Sequence, residues 1–260
     1  MNSNQIRKII VEQSKRAHVG HIGSCLSIAD IVSVLFDDVL NIPEPDNPER
    51  DRFILSKGHA ALAIYAVLHL KGLLDAEQLN TFHEDNSLLG VHPEHQLDGI
   101  DFSTGSLGQG LSIGVGAALA ARIQRSQRRV FVLLSDAELN EGATWEAVMF
   151  AGHHKLQNLT AIVDLNGQQA LDYTDQVIDI NPVEEKWRMF GWDATTVDGH
   201  DVAELRTSLL SSGENSVQPR AVIARTTFGK GVSYMENKIK WHYWPMSDEE
   251  YAQALVELGY

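Results

Sequence analysis

The chain has 260 residues, 43% of them hydrophobic, enough for one large α/β domain with a substantial core. Its formal net charge of −14 argues against broad nucleic-acid binding, which needs a basic surface to displace counterions. No apolar run approaches the roughly 20 residues of a membrane span, no charged-then-apolar signal layout opens the chain, and the single cysteine, Cys25, excludes an internal disulfide; the expectation is a cytoplasmic protein.

In chain order, residues 3–18 predict an amphipathic helix. Residues 27–40 predict a second, with Ser27 as its cap and Asp30 three positions on. A loop with three prolines, 41–51, leads to a short strand at 52–56 and a helix that starts at Gly58-His59 and runs to Leu70. A glycine-rich stretch, Thr104-Gly105-Ser106-Leu107-Gly108-Gln109-Gly110, opens an apolar helix over 111–123. Strand 130–134, helix 144–156 and strand 159–163 follow, then helix 182–190, strand 194–197, helix 202–210, strand 221–226 and a last helix over 248–258. This alternation predicts an α/β fold, a doubly wound, mostly parallel sheet flanked by helices, in a single domain over 1–260.

The chemistry concentrates where apolar runs end. Asp136 follows Val130-Phe131-Val132-Leu133-Leu134-Ser135, and Asn166 follows Leu159-Thr160-Ala161-Ile162-Val163-Asp164-Leu165. Both therefore fall at the C-terminal ends of buried parallel strands, where open α/β sheets bind ligands. One carboxylate, one amide oxygen and a backbone carbonyl suit a Mg²⁺ that also holds a diphosphate. The same two residues would equally serve as caps of the turns after those strands. The Gly105–Gly110 stretch can present helix N-terminal amides to a phosphate, or simply let its helix pack closely. Histidines recur beside glycines in His18-Val19-Gly20-His21-Ile22-Gly23, Lys57-Gly58-His59 and Gly90-Val91-His92-Pro93, and again at Trp241-His242-Tyr243. At the mouth of a sheet they can bind phosphates, orient hydroxyls or move protons, and as surface or capping residues they would do none of these. No pair has zinc-ligand spacing.

Taken together these motifs resemble those of the transketolases, in family order and over nearly the whole chain. Gly20-His21-Ile22-Gly23-Ser24, Ser56-Lys57-Gly58-His59-Ala60 and Gly90-Val91-His92-Pro93-Glu94 resemble the three histidine motifs, and Gly105–Gly110 the loop over the cofactor ring. Asp136-Ala137-Glu138-Leu139-Asn140-Glu141-Gly142, with Trp145-Glu146-Ala147 and with Asn166 further on, resembles the metal and diphosphate motif. The resemblance implies thiamine diphosphate with Mg²⁺ (or Ca²⁺) as cofactors and the pyrophosphate domain of the thiamine diphosphate-binding fold. By position it implies metal ligands Asp136, Asn166 and the Gln168 carbonyl. Cofactor contacts would come from His59, Gly105, Ser106, Leu107, Asp136, Ala137, Glu138, Asn166 and His242. His21, His59, His92 and His242 would be catalytic, with Glu141 and Glu146 in a glutamate network between two cofactor sites. It covers only the first of three family domains, so it implies the N-terminal subunit of a split enzyme. The missing pyrimidine-binding domain would sit on a separately encoded C-terminal subunit, in an α2β2 assembly. The activity implied is transfer of a two-carbon ketol unit from a ketose, free or phosphorylated, to an aldehyde acceptor.

Three departures bear on this. Ser135-Asp136-Ala137 stands where the family usually has Gly-Asp-Gly, so Ala137 fits only with a negative φ. Gly167 follows Asn166, and the rings of Tyr243 and Trp244 follow His242, which suggests a bulkier, less phosphorylated acceptor in a specialised pathway. Two other readings stay open: a two-subunit thiamine-dependent synthase adding a two-carbon unit to a modified sugar or other aldehyde, and a degenerate, non-catalytic partner subunit.

Overall fold

The computed structural model describes residues 1–44, 46–211 and 217–260; Pro45 of the predicted three-proline loop lies outside them. Five strands, β1 (Arg52–Leu55), β2 (Val130–Ser135), β3 (Leu159–Leu165), β4 (Asp193–Asp198) and β5 (Arg220–Arg225), form one sheet in the order β1-β2-β3-β5-β4. Every pairing is parallel. The helices are α1 (Ser3–Ala17), α2 (Ile22–Ser27), α3 (Ala29–Val34), α4 (Ala61–Leu70), α5 (Ala76–Leu79), α6 (Gly110–Ile123), α7 (Gly142–His153), α8 (Thr174–Val177), α9 (Val183–Met189), α10 (Val202–Leu210) and α11 (Asp248–Glu257). Single tighter turns cover Gly58–Ala60, Ala137–Asn140 and Ile239–His242.

The strands read as continuous apolar runs because both faces of the sheet are covered. Along β2 the side chains alternate between two cores: Phe131 and Leu133 enter one, Val130, Val132 and Leu134 the other. The first core holds α1, α2, α3, α4 and α10; the second holds α6, α7 and α9. Two glycines set the approach of α6 to the sheet. A Cβ on Gly114 would stand 2.4 Å from Val132 Cγ2, and one on Gly110 would stand 2.2 Å from Ser56 Oγ.

The chain leaves β1 toward α4 on one face and leaves β2 toward α7 on the other. That divergence opens a crevice beyond the C-terminal strand ends. The register pairs Ser135 with Asp164, which sets Asn166 in the lining of this crevice and Asp136 directly behind it.

The predicted helix over 27–40 divides instead into α3 and a π-turn at Leu35–Val39. Ser27 does not cap it; it is the last residue of α2, and its hydroxyl bonds Asp164 Oδ2 at 2.8 Å and the Ser24 carbonyl at 3.0 Å. Asp30 is taken by Arg7 and by His200 Nδ1 at 2.8 Å. A tertiary carboxylate here outcompetes the local capping geometry. Helices α5 and α8 are not predicted from the sequence, because they have four residues each and carry no readable period.

Candidate active site

The crevice has a volume of about 320 Å³, and its lining includes His21, His59, His92, Leu107, Ala137, Glu141, Asn166, Gln168, His242 and Tyr243. Ser135, Ala137 and Asn166 form part of its floor, and behind them lies a pair of buried carboxylates, Asp136 and Asp164, which do not line the crevice themselves. Asp136 is wholly buried. Its Oδ1 accepts the Ala137 N–H at 2.8 Å, and its Oδ2 accepts the Gly167 N–H at 2.6 Å. No ion pair reaches it among the described residues. Burial and the neighbouring Asp164 carboxylate push its pKa up to about 7.

Asp164 is buried as deeply. Burial alone would raise its pKa, but the Lys57 ammonium and the hydroxyls of Thr226 and Ser27 hold it below the ordinary carboxylate range. Lys57 is itself fully buried and also donates to the Ser24 carbonyl at 3.2 Å. Asn166 Nδ2 donates to Asp164 Oδ2 at 2.9 Å, which turns its Oδ1 the other way, where it accepts the Gln168 N–H at 3.0 Å.

Among the described residues no three His, Cys, Asp or Glu side chains are grouped to hold a metal. The donors here are instead a carboxylate, an amide oxygen and backbone carbonyls. Such hard oxygen donors fit Mg²⁺ or Ca²⁺ when phosphate oxygens complete the sphere. The uncompensated Asp136 carboxylate is the observation that makes the fit.

Three imidazoles face one another above the floor. Ring centroids of His21 and His59, and of His21 and His242, lie 5.4 Å apart; those of His59 and His242 lie 5.9 Å apart. His59 Nε2 meets Ser24 Oγ at 2.9 Å. His242 stacks on Phe228 at 5.7 Å, and its carbonyl accepts the His21 N–H at 2.8 Å. Burial, reinforced by Lys57 and the neighbouring histidines, lowers the pKa of His59 well below its ordinary value and that of His242 to about 4. Burial, followed by the proximity of His92 and Lys57, lowers His21 as well. These rings are therefore neutral at pH 7, suited to exchanging protons and hydrogen bonds. His21 holds φ 61°, a left-handed backbone that non-glycine residues adopt at a cost and that recurs at functional sites.

Not every predicted residue lines the crevice. Glu138 is buried behind it; its carboxylate accepts from Ser56 Oγ, from the Gly108 N–H at 2.9 Å and from the Ser135 N–H at 3.2 Å. It ties three loops together, and it occupies one of the amides that the glycine-rich stretch would offer a phosphate. Gly105 lies against the His92 ring, its Cβ position 3.4 Å from His92 Cδ2. Ser106 and Glu146 do not line the crevice, while Glu141 is exposed at its edge. Ala137 has no positive φ, so its methyl meets no backbone strain. Sequence reasoning assigns no role to Lys57 or Asp164. The available signal is a charge at the very end of each apolar run, where a solvent-facing loop would normally begin.

Fold and site together define a diphosphate-binding α/β domain, and comparison with known proteins makes that specific. The family described as "Transketolase, thiamine diphosphate binding domain" matches residues 1–260, and the chain belongs to it. It is 37% identical over 261 residues to an apulose-4-phosphate transketolase subunit of Phocaeicola vulgatus, covering 100% of this chain and 93% of the relative. It is 38% identical over 260 residues to a 6-deoxy-6-sulfo-D-fructose transketolase subunit of a Clostridium species, covering 98% of this chain and 94% of that one. The crystal structure of transketolase from Campylobacter jejuni superposes with a TM-score of 0.91 at 32% identity, over 100% of this chain but 43% of that one. The chain thus matches proteins named as transketolase subunits nearly end to end, and less than half of a longer transketolase chain.

Proposed function

We propose that the chain is the diphosphate-binding half of a two-component transketolase that moves a two-carbon ketol unit from a ketose to an aldehyde acceptor. One observation carries this reading: Asp136, a wholly buried carboxylate held by two N–H groups and by no cation among the described residues. Asp136, Asn166 Oδ1 and the Gln168 carbonyl would hold a Mg²⁺ (or Ca²⁺), which would supply that charge and attract the diphosphate. When bound, thiamine diphosphate supplies the nucleophilic carbon and the electron sink that ketose C2–C3 cleavage requires. The residues of this chain bind, orient and move protons. His59 and His242 hydrogen-bond on the diphosphate side. His21 and His92 meet substrate hydroxyls and the reacting carbonyl, where a neutral imidazole can deliver or accept a proton.

A separately encoded polypeptide carries the pyrimidine-binding domain and completes the site, in an α2β2 assembly within the cytoplasm. Relatives of matching length are themselves named as transketolase subunits, which supports a partner. So do the exposed apolar side chains of Ile123 on α6 and Met149 and Phe150 on α7, which a partner surface would cover. Glu141, at the N-cap of α7, and Glu146, within it, are both exposed and would form the network toward a second cofactor site. No helix of the described residues is long and apolar enough to cross a membrane.

The test is calorimetric titration of thiamine diphosphate with Mg²⁺ into this chain mixed with its candidate partner, beside Asp136→Ala. Binding lost in the variant upholds the reading; a complex that forms but binds no cofactor overturns it in favour of a non-catalytic role.

A second observation favours a specialised acceptor. The exposed Tyr243 ring stands 5.2 Å from His21 and 5.0 Å from His242, narrowing the crevice over the two histidines. We expect acceptors that stack on a ring to outperform small phosphorylated aldehydes. Xylulose 5-phosphate with ribose 5-phosphate as the best pair would overturn that expectation.

A further inference from the structure

Buried polar atoms without a hydrogen-bond partner gather at this crevice. Among the described residues they are His21 Nδ1, His242 Nδ1 and both amide atoms of Gln168, with Arg7 Nε and Trp187 Nε1 elsewhere. Gln168 is the only side chain in this set with a donor and an acceptor both unmet. It is 3% exposed and lines the crevice. The next residue makes a sharp contrast: Gln169 is also buried, but its Nε2 donates to Asn140 Oδ1 at 2.7 Å. A buried amide left unpaired opposes folding unless a ligand completes it.

What completes it follows from where it stands. The turn 166–168 is tied to the Asp136 carboxylate by the Gly167 N–H, 2.6 Å from Asp136 Oδ2, and is closed within itself by the Gln168 N–H, 3.0 Å from Asn166 Oδ1. The Gln168 side chain leaves the same turn that presents the proposed metal ligands and lines the crevice that would receive the diphosphate. The buried ammonium nearby, Lys57, is already spent on Asp164. A neutral donor is what this side of the site retains. We infer that the Gln168 side chain, and not only its carbonyl, is a binding residue of the cofactor site, where its unpaired Nε2 would donate to a diphosphate oxygen. This rests on the transketolase reading above.

The experiment compares wild type, Gln168→Met, Gln168→Glu and Asp136→Ala, each mixed with the partner chain, by calorimetric titration of Mg²⁺-thiamine diphosphate and, separately, Mg²⁺-pyrophosphate. The thermal midpoint of each free chain is measured alongside. A hydrogen bond to a charged oxygen predicts that Gln168→Met weakens both ligands by roughly tenfold or more. Gln168→Glu, which sets a carboxylate against the diphosphate, weakens them further. The free Gln168→Met chain melts at or above the wild-type midpoint, because the unmet amide is gone. Wild-type affinity in Gln168→Met, with binding abolished in Asp136→Ala, overturns the inference while the transketolase reading stands. A loss for thiamine diphosphate but not for pyrophosphate overturns the assignment to the diphosphate. A lowered midpoint in the free Gln168→Met chain means that the amide serves the fold, and also overturns it. Failure of the wild-type complex to bind either ligand overturns both readings.

Discussion

Asp136 and Asp164 stand side by side at the ends of β2 and β3, equally inaccessible to water, and the chain treats them in opposite ways. Asp164 is surrounded from within: an ammonium, two hydroxyls and an amide converge on it and keep it ionised. Asp136 receives only two backbone N–H groups, and its pKa rises to about 7. A buried charge is tolerated when paired and costly when not. The first aspartate is therefore a piece of architecture whose charge balance is complete. The second is balanced only by something from outside, and the difference between them separates the scaffold from the site.

The largest expected effect breaks the internal pair. Lys57→Met leaves Asp164 buried with its hydroxyl and amide donors but no cation, which should cost about 3–5 kcal/mol of folding stability and lower the thermal midpoint by roughly 10 °C in a chain of this size. Pairing it with Asp164→Leu removes the stranded charge and should recover most of that loss, a coupling that a double-mutant cycle by urea denaturation measures. A single variant as stable as wild type would mean that Asp164 is balanced without Lys57.

Changing Asp136 should act in the reverse direction. Its folded pKa is raised from an ordinary 3.8 to about 7, so between those values the folded chain binds more protons than the unfolded one. The stability this contributes is present at low pH and is lost as pH rises through 7. Asp136→Asn removes the charge, and the free chain should unfold at a higher midpoint than wild type at a pH of about 7.5, above the raised pKa. Affinity for Mg²⁺-thiamine diphosphate should fall by more than about 100-fold, the upper range seen even for residues that only support metal ligands. A free variant less stable than wild type would show that the carboxylate is needed by the fold, and would erase the contrast with Asp164.

How much of this is legible in the sequence follows the same division. The strands, the Asp136–Asn166 pair and the glycine-flanked histidines announce themselves locally, as apolar runs, punctuation and motif order. The internal pair does not. Lys57 and Asp164 lie 107 residues apart, and Ser27 and Asp164 lie 137 apart, so nothing near any of them reveals the others. Ser27 even carries the local signature of a helix cap that a distant carboxylate overrides. Glu138 reads as a cofactor contact because it follows Asp136, yet its carboxylate turns inward to hold Ser56 and Gly108. Residues that serve a ligand lie close to recognisable motifs; residues that hold those motifs in place are visible only once the fold brings them together.

The smallest expected effect concerns the histidines, and it sharpens what kind of charge the site lacks. His242 has an ordinary pKa of 6.5 and a folded value of about 4, because burial and the nearby His21 and Lys57 disfavour the imidazolium. Between those values the unfolded chain binds more protons, so this contribution to stability is complete above pH 6.5 and is lost as pH falls toward 4. It cannot exceed about 1.4 kcal/mol per pH unit for one group. Asp136 titrates with the opposite sign over part of this range, so the informative quantity is the difference between wild type and His242→Phe, which keeps a ring against Phe228. Urea denaturation of the free chains at about pH 7, 6 and 5 should show wild type losing stability relative to the variant as the pH falls. Parallel curves would mean that His242 takes up a proton as readily in the folded chain as in the unfolded one, so that it could supply positive charge to the crevice as the pH falls below its ordinary value of 6.5. Diverging curves would mean that His242 stays neutral at pH 7, with Lys57 already committed to Asp164. The positive charge that Asp136 and a diphosphate both require must then arrive as a metal ion.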